Sequence, residues 1–241
     1  MPPLIARRSL PNHARSPKMD ITDTRVETVR QSAISFKVKD LTFEGVVAQP
    51  EGLSGPMAAV VVCHPHPTRG GNMDNNVVLT LAYSLVDQGF ATLRFNFRGV
   101  GSSQGQHSEG ELEHQEALGA LDLMKAWPGV DSRRLGLAGY SFSTSVIMGS
   151  ASLQKKAKAI ALVSPSLRAL ESTPLKKDSR PIMIVTGDQD NLVQSEQLQS
   201  CLDSFAHPPA CHIVAGADHF WQGYENQLST PVEQFFLENL K

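Results

Sequence analysis

Cysteine is scarce in this chain. There are three in 241 residues, at Cys63, Cys201 and Cys211. Three scattered thiols make no disulfide framework. They suit a reducing, cytoplasmic setting, with Cys201–Cys211 as the one pairing left open. An excess of either charge is also lacking. Lys and Arg total 22 against 24 Asp and Glu, a formal net charge of −2. That balance gives no reason to expect nucleic acid or an anionic membrane as a partner. No apolar run approaches the ~20 residues of a membrane-spanning helix. The first residues have no apolar secretory core either. Met1 to Lys18 holds Arg, Pro and Ser but no acid. It is read as disordered or as an over-extended start before Met19, with a transit peptide as the alternative. Residues 1–25 are therefore set apart, and 26–241 are read as a single domain.

What remains is ordinary for a soluble α/β protein: 41% apolar and 19% charged residues. The chain is long enough for one large core. Ala33–Val38 and Leu41–Val47 alternate apolar and polar residues, as a hairpin at a sheet edge does. Met57–Cys63 (M-A-A-V-V-V-C) is continuously apolar, as a buried parallel strand is. Further strands are expected over 90–97, through Arg134 to Tyr140, and over 157–163, 181–186 and 210–215. Helices are expected between them, over 74–88, 109–127, 142–154, 192–205 and 222–240. This order predicts a mostly parallel central sheet with an antiparallel N-terminal hairpin and helices on both faces. In such sheets chemistry gathers at the carboxyl ends of the strands. His64, His66, Ser141, Asp188, Asp190 and His219 all fall just past such ends.

Ser141 stands at the sharpest of these bends, between a strand and a helix. A serine hydroxyl needs a base to take its proton and donors to hold the oxyanion it creates. A tight strand-to-helix bend lifts the side chain clear and aims the next amide at the oxyanion. The residues two before and two after must be small. Here they are Gly139 and Ser143, so the pattern G-x-S-x-G lacks its second glycine. The plain alternative is an ordinary turn with Ser141 as a helix N-cap. The glycine-rich run Arg98 to Gly105 has neither the lysine of a P-loop nor full G-x-G-x-x-G spacing, so nucleotide binding is not expected. His64 and His66 lie one residue apart, but no nearby Cys or acid completes a metal set, so no metal is expected.

Five motifs in order resemble the α/β-hydrolase superfamily over nearly the whole chain from Val26. They are C-H-P-H-P-x-x-G-G-x-M from Cys63 to Met73, F-N-F-R-G-V-G-S-S-Q-G from Phe95 to Gly105, and the Ser141 bend. G-D-Q-D at Gly187 to Asp190 and G-A-D-H-F at Gly216 to Phe220 complete the set. The chain is similar to small lidless hydrolases, dienelactone hydrolases and prolyl-oligopeptidase-like esterases. The resemblance implies an α/β-hydrolase fold, with Ser141 as nucleophile, His219 as general base and Asp190 as the acid orienting it. Asp188 is the runner-up acid, and Asp218 is structural. The implied oxyanion donors are the backbone N–H groups of Phe142 and His66, because Pro65 replaces the usual glycine and has no N–H. His64 and the Arg98–Gly101 loop are structural.

Tyr140, Phe220 and Trp221 are expected to line the substrate pocket. For Phe220, Trp221 and Tyr224 the alternative is pinning the last helix to the sheet. The interval from Val163 to Pro181 is too short for a large lid domain, so the site is open. A small-molecule or polymeric ester, cleaved through an acyl-enzyme without a cofactor, is the expected substrate. A non-catalytic binding protein of the same fold, or an acyltransferase or peptidase using the same triad, is the alternative. Oligomeric state is not legible.

Overall fold

The computed structural model describes residues 28–52, 55–193 and 195–241. The reading of residues 1–25 lies outside them. Eight strands form one sheet: β1 (Val29–Val38), β2 (Leu41–Pro50), β3 (Met57–Cys63), β4 (Ala91–Phe95), β5 (Val130–Tyr140), β6 (Ala159–Val163), β7 (Ile182–Gly187) and β8 (Ala210–Val214). Their order across the sheet is β1-β2-β4-β3-β5-β6-β7-β8. β1 pairs antiparallel with β2, and β2 antiparallel with β4. Every later pairing is parallel. This is the α/β-hydrolase arrangement, with the hairpin at one edge as its alternation predicts.

Among the described residues seven helices cover the two faces: α1 (Asn76–Asp87), α2 (Glu113–Ala126), α3 (Phe142–Met148), α4 (Ala151–Lys156), α5 (Leu167–Ser172), α6 (Ser195–Leu202) and α7 (Glu225–Leu240). Side chains of central strands alternate between faces, so each face has its own core. Val60 and Val62 meet Leu81 and Leu85 of α1 and Phe236 of α7. Val61 and Leu137 meet Leu121 and Met124 of α2 on the other face. α1 is well specified locally. Asn75 Oδ1 accepts from the Val77 N–H at 3.0 Å, a side-chain N-cap, and apolar residues then recur at helical spacing.

Several boundaries differ from the sequence reading. The helix expected over 109–127 begins at Glu113, because Glu109 and Gly110 both take positive φ and the buried Glu113 carboxylate accepts from Ser108 and Gly110 instead. The helix expected over 142–154 is two helices, broken at Gly149 and Ser150. The Ser150 hydroxyl caps the second by accepting from the Leu153 N–H at 3.4 Å. Between β6 and β7 stand only α5 and one 3₁₀ turn (Pro174–Lys177), so that interval holds no lid domain. All three cysteines are free thiols, Cys201 and Cys211 included. Among the described residues no helix is long and apolar enough to cross a membrane.

Candidate active site

The site grows from the end of β5. The Ser141 N–H extends the ladder to β6, bonding the Val163 carbonyl at 2.9 Å. Ser141 then turns to φ 56°, ψ −115°, and α3 starts at the next residue. A non-glycine residue held there stores about 1–3 kcal/mol of strain, which its surroundings must offset. Gly139 leaves room for the bend, since a Cβ there would come within 2.6 Å of Ile147. Ser143, in the place of the missing glycine, is fully buried. Its hydroxyl accepts from the Tyr140 N–H at 2.9 Å and donates to the Cys63 carbonyl at 2.9 Å. The added Cβ is therefore tolerated because its oxygen stitches the end of β5 to the end of β3.

Ser141 makes no side-chain cap to α3. Its Oγ lies 2.9 Å from His219 Nε2 instead, and His219 Nδ1 lies 2.8 Å from Asp190 Oδ2. The acid comes from the loop after β7 and the imidazole from the loop after β8. Asp190 is buried. Burial alone would raise its carboxyl, but His219, the Ser164 hydroxyl and the Leu192 N–H hold it below the ordinary carboxylate value. Asp188 instead accepts from the Gly216 N–H at 2.8 Å, and Asp218 from the Phe220 N–H at 2.9 Å. Both shape the loops that carry the imidazole. Ser164 was not anticipated. It follows β6 at φ 48°, and only its place just past a strand end could have signalled it.

On the opposite side is the loop after β3. His64 is fully buried, donating from Nδ1 to the Pro65 carbonyl at 2.7 Å and accepting at Nε2 from the Phe97 N–H at 3.0 Å. Burial pushes this imidazole down to about 4, so it is neutral. Gly71 packs against the same loop so closely that a Cβ would come within 2.3 Å of the Pro65 carbonyl. The His66 ring packs on Phe142, centroids 4.8 Å apart. His66 and Phe142 therefore flank Ser141, from β3 and α3 respectively.

Ser141, His219, His66 and Phe142 line an open cavity of about 600 Å³. Tyr140 and Phe220 line it too. The Tyr140 hydroxyl donates to the His219 carbonyl at 2.6 Å, and burial followed by Asp190 and Asp218 pushes its phenol up. Trp221 does not line it. Its indole is fully buried in the α1–α7 core, and its Nε1 donates to Ser164 Oγ at 3.1 Å. Trp221 adopts φ 62°, a conformation that neither its aromatic character nor its neighbours in the sequence announce. That reversal sends it inward and Phe220 outward.

The glycine-rich run after β4 is taken up by internal contacts. Arg98 forms a buried ion pair with Glu116 of α2. Glu44 accepts from Asn96 Nδ2 and the Ser102 N–H, both at 2.7 Å. Beyond that run, His107 and Glu109 come to the His66 side chain. Nothing in the sequence spacing pointed to that meeting.

A family model described as "Dienelactone hydrolase family" matches residues 43–229. An α/β serine hydrolase homologue from Coxiella burnetii is similar in structure. It has a TM-score of 0.73 and 30% identity, over 87% of this chain and 97% of the other. An α/β serine hydrolase without a lid from Xanthomonas campestris shares the fold. Its TM-score is 0.74 at 24% identity, over 87% of this chain and 95% of the other. An uncharacterised protein from Rickettsia prowazekii is 29% identical over 213 residues, which cover 85% of this chain and 88% of that protein.

Proposed function

The chain belongs to the dienelactone hydrolase family, and from that premise we propose that it hydrolyses carboxylic esters through a serine acyl-enzyme. One observation carries the reading. The Ser141–His219–Asp190 chain, with contacts of 2.9 and 2.8 Å, opens onto a cavity that no lid covers among the described residues. His219 Nε2 takes the Ser141 proton as Oγ attacks the carbonyl carbon. Asp190 fixes the imidazole with its proton on Nδ1 and stabilises the imidazolium. The amides of His66 and Phe142 receive the oxyanion. Among the described residues, neither amide has an acceptor within the protein, as donors reserved for a transition state require. His219 returns the proton to the leaving alcohol, and water repeats the cycle on the acyl-enzyme. The open cavity, with Phe142 and Phe220 on its wall, suits a small or surface-presented ester with an apolar acyl or alcohol part.

The test is hydrolysis of p-nitrophenyl esters from acetate to palmitate by wild type and Ser141→Ala, with fluorophosphonate labelling of both. Serine-dependent turnover favouring short chains is expected, with label on Ser141. Equal turnover by the two proteins would remove the nucleophile assignment. No turnover and no label would favour a binding protein of this fold. Ester exchange with added alcohol, outpacing hydrolysis, would make it an acyltransferase.

A further inference from the structure

One group of side chains has no part in the ester chemistry. His66, on the loop after β3, and His107 and Glu109, on the loop before α2, bring one ligand atom each within 4.8 Å of one another. His66 Nε2 is 3.7 Å from Glu109 Oε2, and His107 Nε2 is 3.4 Å from Glu109 Oε1. Each imidazole is approached at its other nitrogen by an oxygen. His66 Nδ1 is 3.2 Å from Thr68 Oγ1. His107 Nδ1 lies 2.9 Å from Glu113 Oε1, off the line of a good hydrogen bond. Glu113 is itself buried and fixed by the Ser108 hydroxyl and N–H and by the Gly110 N–H. Each imidazole thus has an oxygen behind Nδ1 and its Nε2 turned toward Glu109, and oxygen acceptors stand in that place behind metal-bound histidines.

Two further features point the same way. Both ring nitrogens of His107 are buried and, among the described residues, neither has a hydrogen-bond partner. Buried polar atoms rarely stay unsatisfied without a reason. Glu109 adopts φ 53°, uncommon for a long side chain, while its carboxylate reaches both rings from a largely exposed position. Metal–ligand bonds of about 2.0–2.1 Å put neighbouring donors of a tetrahedral site about 3.3 Å apart. The observed 3.4 and 3.7 Å run to the two different oxygens of Glu109, so metal binding draws together one carboxylate oxygen and both imidazoles, whose ligand atoms now lie within 4.8 Å of one another. Two imidazoles and one carboxylate suit zinc-class ions, and are too nitrogen-rich for calcium or magnesium.

We propose that His66, His107 and Glu109 bind one divalent transition ion of the zinc class at the cavity rim, with a fourth position open to water. The site is independent of the ester reading, since none of its ligand atoms takes part in that chemistry. The test is calorimetric titration of the full chain with Zn²⁺, paired with the visible absorption of Co²⁺ in its place. One equivalent per chain is expected, with cobalt bands of four-coordinate intensity. Glu109→Gln and His107→Phe should each weaken binding at least tenfold, while Ser141→Ala should bind as wild type does. Thermal melting checks that each variant is folded, and Glu109→Gln, at an exposed position, serves if His107→Phe is not. No stoichiometric binding by wild type would overturn the proposal. So would equal binding by the variants, which would move the ion to another group such as Cys211 and His212.

Discussion

Ser141 and Ser164 end neighbouring parallel strands and use the position differently. Both take positive φ, 56° and 48°. Both N–H groups extend the sheet, Ser141 to the Val163 carbonyl at 2.9 Å and Ser164 to the Val185 carbonyl at 2.8 Å. Ser141 is followed at once by a helix, and its hydroxyl meets the imidazole. Ser164 is followed by Pro165, and its buried hydroxyl lies between Trp221 and Asp190. The two hydroxyls thus stand at opposite ends of the His219–Asp190 pair. Backbone strain at a strand end does not by itself mark a nucleophile. The element that follows, and the side chain waiting there, decide the role.

The comparison breaks first at Ser141. Ser141→Ala should lower kcat/KM by about 10⁵-fold with the fold retained, as read by ester kinetics and melting. If turnover persists, the two serines are equivalent and the assignment falls. Asp190→Asn removes the charge that both ends share, and kcat should drop about 10⁴-fold with KM little changed.

The third expectation concerns the loop that faces both serines across the cavity. His64 has its folded pKa lowered to about 4, against 6.5 unfolded, so the unfolded chain binds its proton first as pH falls. Its contribution is complete above 6.5 and is lost as pH falls toward 4, an effect of about 3 kcal/mol. Denaturant midpoints should therefore fall more steeply between pH 7 and 4 for wild type than for His64→Asn. Parallel curves would show that His64 does not titrate in that window.

The smallest effect sharpens the comparison most. Ser164→Ala should reduce kcat about tenfold, the worth of one hydrogen bond to a charged group. Trp221→Phe should add little in that background, because both act through one contact. Additive losses in the double mutant would show that Trp221 acts elsewhere.

The framework was legible because it rests on local patterns. Continuous apolar runs such as Met57–Cys63 mark central strands, and the short Val163–Pro181 interval fits no lid. That Ser141, His219 and the pair Asp188 and Asp190 share one edge was legible because parallel strands deliver their ends there, and the choice of Asp190 over Asp188 came from the family resemblance alone. What was not legible depends on contacts between loops. Trp221 and Phe220 are adjacent and both aromatic, and only the positive φ at Trp221 sends one inward. Ser164 is one more serine until the indole reaches it. His107 and Glu109 stand two residues apart on one loop, but His66 reaches them from a loop that follows a different strand.

The Ser143 hydroxyl has a consequence for dimensional tolerance. It bridges the Tyr140 N–H and the Cys63 carbonyl, and the amides of Phe142 and His66 hang a few residues beyond each side of that bridge. The gap between those amides is gauged by one oxygen in the packed interior. A helix start and a loop thus inherit the precision of the core, and a serine at the usual glycine position acts as the spacer that sets it.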